Sequence, residues 1–493
     1  MSASHRWTWT GLAVLLVVAP CPAAESFADL VRRVPEAANA VLLLDAAALR
    51  ESPFGRREGW ATNHERSTLG DAGGLPPGVE RLVVAAQINP CTLDHVWKVG
   101  IAATRSPVSP EQLARAEGGT PDTLAYRSVV LSPRNAYYVI LDPQVVGAMH
   151  PANRQELSRW LRSGPAGRGP SDYLRAATAT PNAPITLALD TTDVFDPPGL
   201  RAKLSKCKAL AGRGADELQR VAQALAGLKG VRLSVRVGTK LDGELRLDGD
   251  GADALAPVAK ALVLEALGSM SAAVEDLDDW SARASGGAVV LSGPLTERGL
   301  RQLLSPLLSP VVMSPAAAAS PTTGGTPASP QGQAATSQMY FRSVTKLLKD
   351  LQQQRLTNYN TIAQVYQRYA QQIDELPLLG VDAELLKWGG DVSATLRSLA
   401  TLAKTTKSQK GIAAMNYYAA VSQGSSTATD AWGYQYTVPT TTVVNTNVVG
   451  QINNLMATEG ANELAIRSQT WNNIDTATAQ VRRKMTEKYM VEF

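Results

Sequence analysis

The chain has 493 residues, of which 44% are hydrophobic and 19% charged. That length fits about two to four domains, and that much apolar material excludes a wholly disordered chain. Basic and acidic residues number 48 and 44, so net charge gives no argument for a nucleic-acid partner, and four His with three Cys exclude ligand-rich zinc domains and multi-disulfide scaffolds.

Residues 1–24 read as a secretory signal peptide. His5 and Arg6 form a short basic start, Gly11 to Val18 is an apolar run, and Ala23 and Ala24 offer small residues for cleavage. The apolar run is shorter than the ~20 residues that span a bilayer. The expected mature chain is therefore periplasmic or extracellular, with no transmembrane segment after cleavage. Pro20 before Cys21 argues against lipid attachment. Cys91 and Cys207 are then the two cysteines of the mature chain. In an oxidising compartment they either pair or sit as two buried thiols.

Residues 25–170 and 171–304 read as an α+β unit present twice. Val41–Asp45 is an apolar strand ending in Asp, and Thr186–Asp190 has the same form. Arg81–Ala86 and Val96–Ala103 follow in the first copy; Val231–Val237 and Gly243–Leu247 follow in the second, with period-two alternation. Each copy then has a helix. The first opens on Ser109-Pro110-Glu111-Gln112, where Ser caps, Pro takes the first turn and Gln closes a capping box. The second opens at Asp253, expected to cap. Hairpins Ala125–Ser132 with Ala136–Asp142, and Trp280–Ala284 with Ala288–Ser292, come next. Final helices cover Asn153–Arg162 and Leu295–Leu304. The plan is a tandem ferredoxin-like βαββαβ arrangement with an added strand. The first crossover of the second copy reads as one long helix, Gly199 to Leu228; that of the first copy, Arg50 to Gly78, reads as a loop.

Residues 305–338 contain no charge and are rich in Pro, Ala, Ser and Thr, which predicts a flexible linker. Residues 339–493 predict a helical bundle. Its apolar stripes are Tyr340, Val344, Leu347, Leu351; then Ile362, Tyr366, Tyr369, Ile373, Leu376; then Leu385, Trp388, Val392, Leu396, Leu399, Leu402; then Trp471, Ile474, Thr478, Val481, Met485. Residues 424–449, whose one charge is Asp430, predict a β-hairpin or loop inserted between helices.

Leu376-Pro377-Leu378-Leu379-Gly380-Val381-Asp382, followed by Trp388-Gly389, resembles a segment of uncharacterised exported proteins of the planctomycete kind. The resemblance covers about residues 339–412 and implies an extracytoplasmic helical module with no known activity. Physically, Pro377 stops one helix, Gly380 allows a turn and Asp382 caps the next.

The chain offers little catalytic equipment. Asp248-Gly249-Asp250-Gly251-Ala252-Asp253 departs from a calcium loop at its fifth and twelfth positions and reads as a polar turn. Glu275–Asp279 reads as a solvated acidic loop. Cys91 and His95 would share a helical face at i, i+4, but no third ligand accompanies them. His150 beside Pro151 reads as structural or solvent-facing. No cofactor motif is present. Trp432, Tyr434 and Tyr436 alternate on one expected strand face and form the candidate partner-binding cluster, for a protein or a glycan. The expected function is a non-enzymatic, exported binding or structural protein of the envelope acting through protein contacts. Two alternatives stand beside it: a hydrolase-like enzyme using Asp45, Asp190 or the 275–279 carboxylates in a common cleft, and a homo-oligomer assembled through the C-terminal helices.

Overall fold

The computed structural model describes residues 25–58, 78–90, 93–163, 169–270, 272–308, 330–354, 359–419, 422–429, 435–442 and 448–493. From the N-terminus run α1 (Phe27–Arg32), β1 (Ala40–Asp45), α2 (Ala46–Glu51), α3 (Pro53–Arg57), β2 (Val79–Ile88), β3 (His95–Thr104) and α4 (Pro110–Glu117). Strands β4 (Thr120–Leu124), β5 (Arg127–Ser132), β6 (Ala136–Asp142) and β7 (Val145–His150) follow, then α5 (Arg154–Ser163) and α6 (Asp172–Ala179). The second half holds β8 (Ile185–Asp190), α7 (Pro197–Leu204), α8 (Ala215–Ala226), β9 (Leu228–Val237), β10 (Leu241–Gly249), α9 (Ala252–Ser269), β11 (Ser281–Ser285), β12 (Ala288–Leu295) and α10 (Glu297–Leu304).

All twelve of these strands form one antiparallel sheet, ordered β11-β12-β10-β9-β8-β1-β2-β3-β7-β6-β5-β4. The first strands of the two halves pair with each other, Leu42 opposite Leu187, so the sheet runs unbroken through the expected boundary near residue 170. Within each half the first three strands run as a meander. A ferredoxin-like unit would insert its third strand between the first two, so the expected strand order is corrected. The difference lies in β1, which pairs directly and antiparallel with β2, Leu42 opposite Val84, where the ferredoxin-like plan keeps those two strands parallel and apart.

Strand β1 is buried along Ala40–Leu44 on both of its faces, because helices cover both sides. Leu42, Leu44, Leu82 and Val84 pack toward α8 and α9; Val41, Leu43, Val83 and Ala85 pack toward α1, α5 and α6. The capping box at Ser109 and Gln112 forms as its sequence dictates. Three local expectations are corrected. The crossover helix of the second half divides into α7 and α8. Helices α2 and α3 occupy the start of the expected 50–78 loop. Gly251, at φ +87°, takes the N-cap position of α9, with no side-chain cap from Asp253.

The helical part starts at Pro330, ahead of the expected linker end, with α11 (Pro330–Gln352), α12 (Tyr359–Asp374), α13 (Ala383–Ala419) and α14 (Val448–Tyr489). Pro at the first helical position costs no hydrogen bond. Leu307 and Leu308, also inside the expected linker, are buried in the sheet's core. The hairpin β13 (Ser422–Thr429) with β14 (Gln435–Thr442) joins α13 to α14. Val344, Ile373, Leu396 and Met485, one from each apolar stripe, meet in a single buried core. No helix among the described residues is long and apolar enough to cross a membrane.

Asp382 ties three of these helices together. Its backbone N–H donates to Ser337 Oγ at 2.9 Å, and its carboxylate accepts from Glu384 N at 2.8 Å, Lys488 Nζ at 2.6 Å and Tyr489 O–H at 2.8 Å. Burial opposes its ionisation, but the bonds from Lys488 and Tyr489 prevail and hold the carboxyl below its usual range. Such a group stabilises the fold above its unfolded pKa, near 4, and loses that contribution as pH falls through its lower folded value. Asp382→Ala is expected to destabilise the helical core by about 2–3 kcal/mol at pH 7. The gap from the parent should narrow below pH ~4, where the carboxyl of the parent's unfolded chain takes up its proton while the folded one still resists it. Urea titrations followed by circular dichroism at pH 7 and pH 3.5 check this; an undiminished gap at the lower pH would contradict it.

Candidate functional site

The strongest concentration of buried polar groups lies where the β3–β7 region of the sheet meets α12. Side-chain alternation places Lys98, Gly100 and Ala102 of β3 on the face shared by Ala148 and His150 of β7. Lys98 stands opposite His150 in the ladder. The β2–β3 register steps by one residue on β2, Gln87 to Ile88, against two on β3, Trp97 to His95. Val96 is therefore the extra residue of a β-bulge, and it is 66% exposed. The bulge turns His95 to the same face as Lys98 and His150. The two imidazole centroids lie 6.3 Å apart, and the His150–Pro151 peptide bond is cis.

Helix α12 brings the opposing groups. Glu375, just past its C-terminus, is 3% exposed. Its Oε1 lies 3.4 Å from His150 Nε2 and accepts from Gln371 Nε2 at 2.9 Å. Arg134, in the β5–β6 turn, donates Nη1 to the Glu375 carbonyl at 3.1 Å and so caps this end of the helix. The rest of that guanidinium is buried against Glu117 of α4, with Nη2–Oε1 at 2.6 Å and Nε–Oε2 at 3.1 Å, and it reaches the Tyr138 hydroxyl at 2.8 Å. Ser132 Oγ donates to Glu117 Oε2 at 3.0 Å. Arg301 of α10 holds α11 from another side by a two-point pair with Asp350, both contacts at 3.0 Å.

Between these anchors lies a cavity of about 860 Å³, lined by His95, Lys98 and His150 from the sheet and by Gln367, Arg368 and Glu375 from the α12 side. Lys98 is only 3% exposed and forms no hydrogen bond or ion pair with any described residue. Burial lowers its affinity for a proton and the Glu375 charge restores part of it. Burial likewise pushes His95 down to about 3, with Lys98 and His150 adding to the effect, and it lowers His150 against the pull of Glu375. His150 Nδ1 and Glu375 Oε2 are both buried without a hydrogen-bond partner among the described residues. An unpaired buried ammonium costs several kcal/mol, and each orphaned polar atom about 1–3 kcal/mol. Packing alone does not account for such a set.

Of the residues the sequence singled out, His95 and His150 line this cavity, His150 buried rather than solvent-facing, and the others lie elsewhere. His95 belongs to a strand, so the helical i, i+4 relation with Cys91 is corrected; Cys91 itself is outside the described residues. Cys207 is a free thiol that donates to Glu265 Oε2 at 2.8 Å, and burial together with that carboxylate raises its pKa. Trp432 and Tyr434 also lie outside the described residues. Tyr436 sits on β14 opposite Ala428. Asp45 caps α2 through Ala48 N at 2.9 Å, and Asp190 accepts from Thr192 N at 2.9 Å. Because β1 and β8 are antiparallel, these two carboxylates stand at opposite ends of the sheet and share no cleft. The 275–279 run forms a 3₁₀ turn in which Asp276 accepts from Thr296 N at 2.7 Å and Glu275 pairs with Arg298 at 2.6 Å. Asp248 accepts from Tyr173 O–H at 3.0 Å.

No family model and no curated protein matches the chain. A solved structure, crystal form I of TP0453, aligns over 57% of this chain and 97% of that one, at 13% identity and a TM-score of 0.34. A likeness at that score carries no argument about fold or function.

Proposed function

We propose that the chain is an exported, non-enzymatic binding protein whose ligand is a small polar molecule held in the cavity between β3, β7 and α12. The observation that carries this reading is Lys98, enclosed and without a hydrogen-bond or ion-pair partner among the described residues, at the wall of a cavity of about 860 Å³. That volume lies in the range of small-molecule sites. Export rests on the leader at residues 1–24 and on the resemblance at 339–412. The two halves of the sheet also read as a duplication: in each, the third strand takes the last strand of its half as outer neighbour, β3 with β7 and β10 with β12. The apolar stripes of the C-terminal helices are filled inside one chain, which favours binding in the cavity over assembly through those stripes.

A thermal-shift screen of the mature chain against small polar metabolites tests the reading. A ligand at a hundredfold its Kd should stabilise by about 2.7 kcal/mol. Gln367→Trp, at an exposed position on the cavity wall, should abolish that shift while leaving the ligand-free melting point in place. The reading fails if no compound shifts the parent, or if the shift survives Gln367→Trp.

A further inference from the structure

The unpartnered groups in the cavity specify more than polarity, and the ligand class they define rests on the cavity being a binding site. Two different demands converge there. Lys98 is a buried cation that makes no hydrogen bond or ion pair with a described residue, although the Glu375 charge favours its protonated form, and Arg368 faces the same space. Burial depresses the proton affinity of both; Glu375 opposes this at Lys98 and Asp94 opposes it at Arg368. An anion brought between them favours their charged forms and is held by them. The second demand is for donors. Glu375 Oε2 has no partner among the described residues, while Oε1 accepts from Gln371 and lies near His150 Nε2. His150 Nε2 lies 3.4 Å from that carboxylate, and a neutral imidazole with its proton on Nε2 presents the orphaned Nδ1 as an acceptor. Two buried acceptors therefore await O–H or N–H groups on the wall of the cavity that also holds the two cations. Gln367 and Gln372, also on the wall, add amides that can donate and accept at once.

We propose that the cavity binds a small acidic sugar, a polyhydroxylated molecule bearing one carboxylate or phosphate. The anionic group sits on Lys98 and Arg368. Hydroxyls donate to Glu375 Oε2 and His150 Nδ1. The volume, about 860 Å³, accommodates one or two sugar rings. A bare anion would satisfy the cations and leave both acceptors orphaned; a neutral sugar would do the reverse.

Isothermal titration of the full mature chain with glucuronate, glucose 6-phosphate, glucose and inorganic phosphate tests this. At least one acidic sugar should bind tenfold or more tightly than both glucose and phosphate, and the two acidic sugars distinguish a carboxylate from a phosphate ligand. Lys98→Met should weaken the acidic sugar at least thirtyfold and leave glucose within threefold. This variant removes a buried charge and should melt no lower than the parent, so lost binding would not reflect lost folding. Glu375→Gln, which keeps shape and removes the acceptor charge, should weaken acidic and neutral sugars alike. Glucose binding as tightly as the acidic sugars, or unchanged binding in Lys98→Met, would overturn the anionic half of the proposal and leave cavity binding standing. Phosphate binding as tightly as glucose 6-phosphate would overturn the sugar half. If none of the four probes binds, the acidic-sugar proposal falls. Cavity binding then rests on the metabolite screen, and it falls too if no compound there shifts the parent.

Discussion

Arg134→Ala should be among the two most damaging single substitutions in the chain, with an expected loss of about 3–5 kcal/mol. The guanidinium is 6% exposed, and its partner Glu117 is equally enclosed. Removing it leaves a buried carboxylate beside the Ser132 hydroxyl without its cation, takes a donor from the Tyr138 hydroxyl, and releases the carbonyl at the end of α12. The pair itself need not be a large net stabiliser, because desolvating both ions offsets much of their attraction. The double variant Arg134→Met/Glu117→Leu should therefore recover most of the loss. Urea titrations of the parent and both variants decide the matter. A single-variant loss under about 1 kcal/mol would mean that water reaches Glu117 in solution.

The capping box at Ser109, the two Asp-terminated strands and all four helical stripes were legible because each is a local pattern with a fixed period or offset. Join points were not. The run Val41-Leu42-Leu43-Leu44 announced an apolar strand, yet nothing in it named β8 as the neighbour, since an antiparallel pair of apolar strands carries little register information beyond alternation. The site failed to show for a related reason. Lys98 lies in Val-Trp-Lys-Val-Gly-Ile, which reads as strand whichever way the lysine points. What mattered was that its face also carries Gly100 and Ala102, small residues that leave room above the sheet. The bulge at Val96 broke the alternation that would have placed His95, and Glu375 lies far down the chain. A lysine inside an apolar strand was the one local signal, and it gained meaning only when α12 closed over it.

Trp280→Ala is expected to cost about 3–5 kcal/mol, the usual range for truncating a buried large aromatic side chain. The indole is 1% exposed and donates Nε1–H to the Pro294 carbonyl at 2.8 Å. Its ring lies across a slot made by Gly243 and Gly293, which face each other in the β10–β12 ladder. A Cβ at Gly243 would sit 2.4 Å from the ring and one at Gly293 2.5 Å from it. Both are below any real contact distance, so the two glycines serve the ring rather than the backbone. That dependence is measurable by a double-variant cycle. Gly243→Ala should destabilise the parent, because ring and strand cannot both keep their places. In the Trp280→Ala background the same change should be nearly neutral, since the slot is already empty. Urea titrations of the four chains give the coupling, expected at about 1–3 kcal/mol. Equal effects of Gly243→Ala in both backgrounds would show that the glycine is there for the strand and not for the indole.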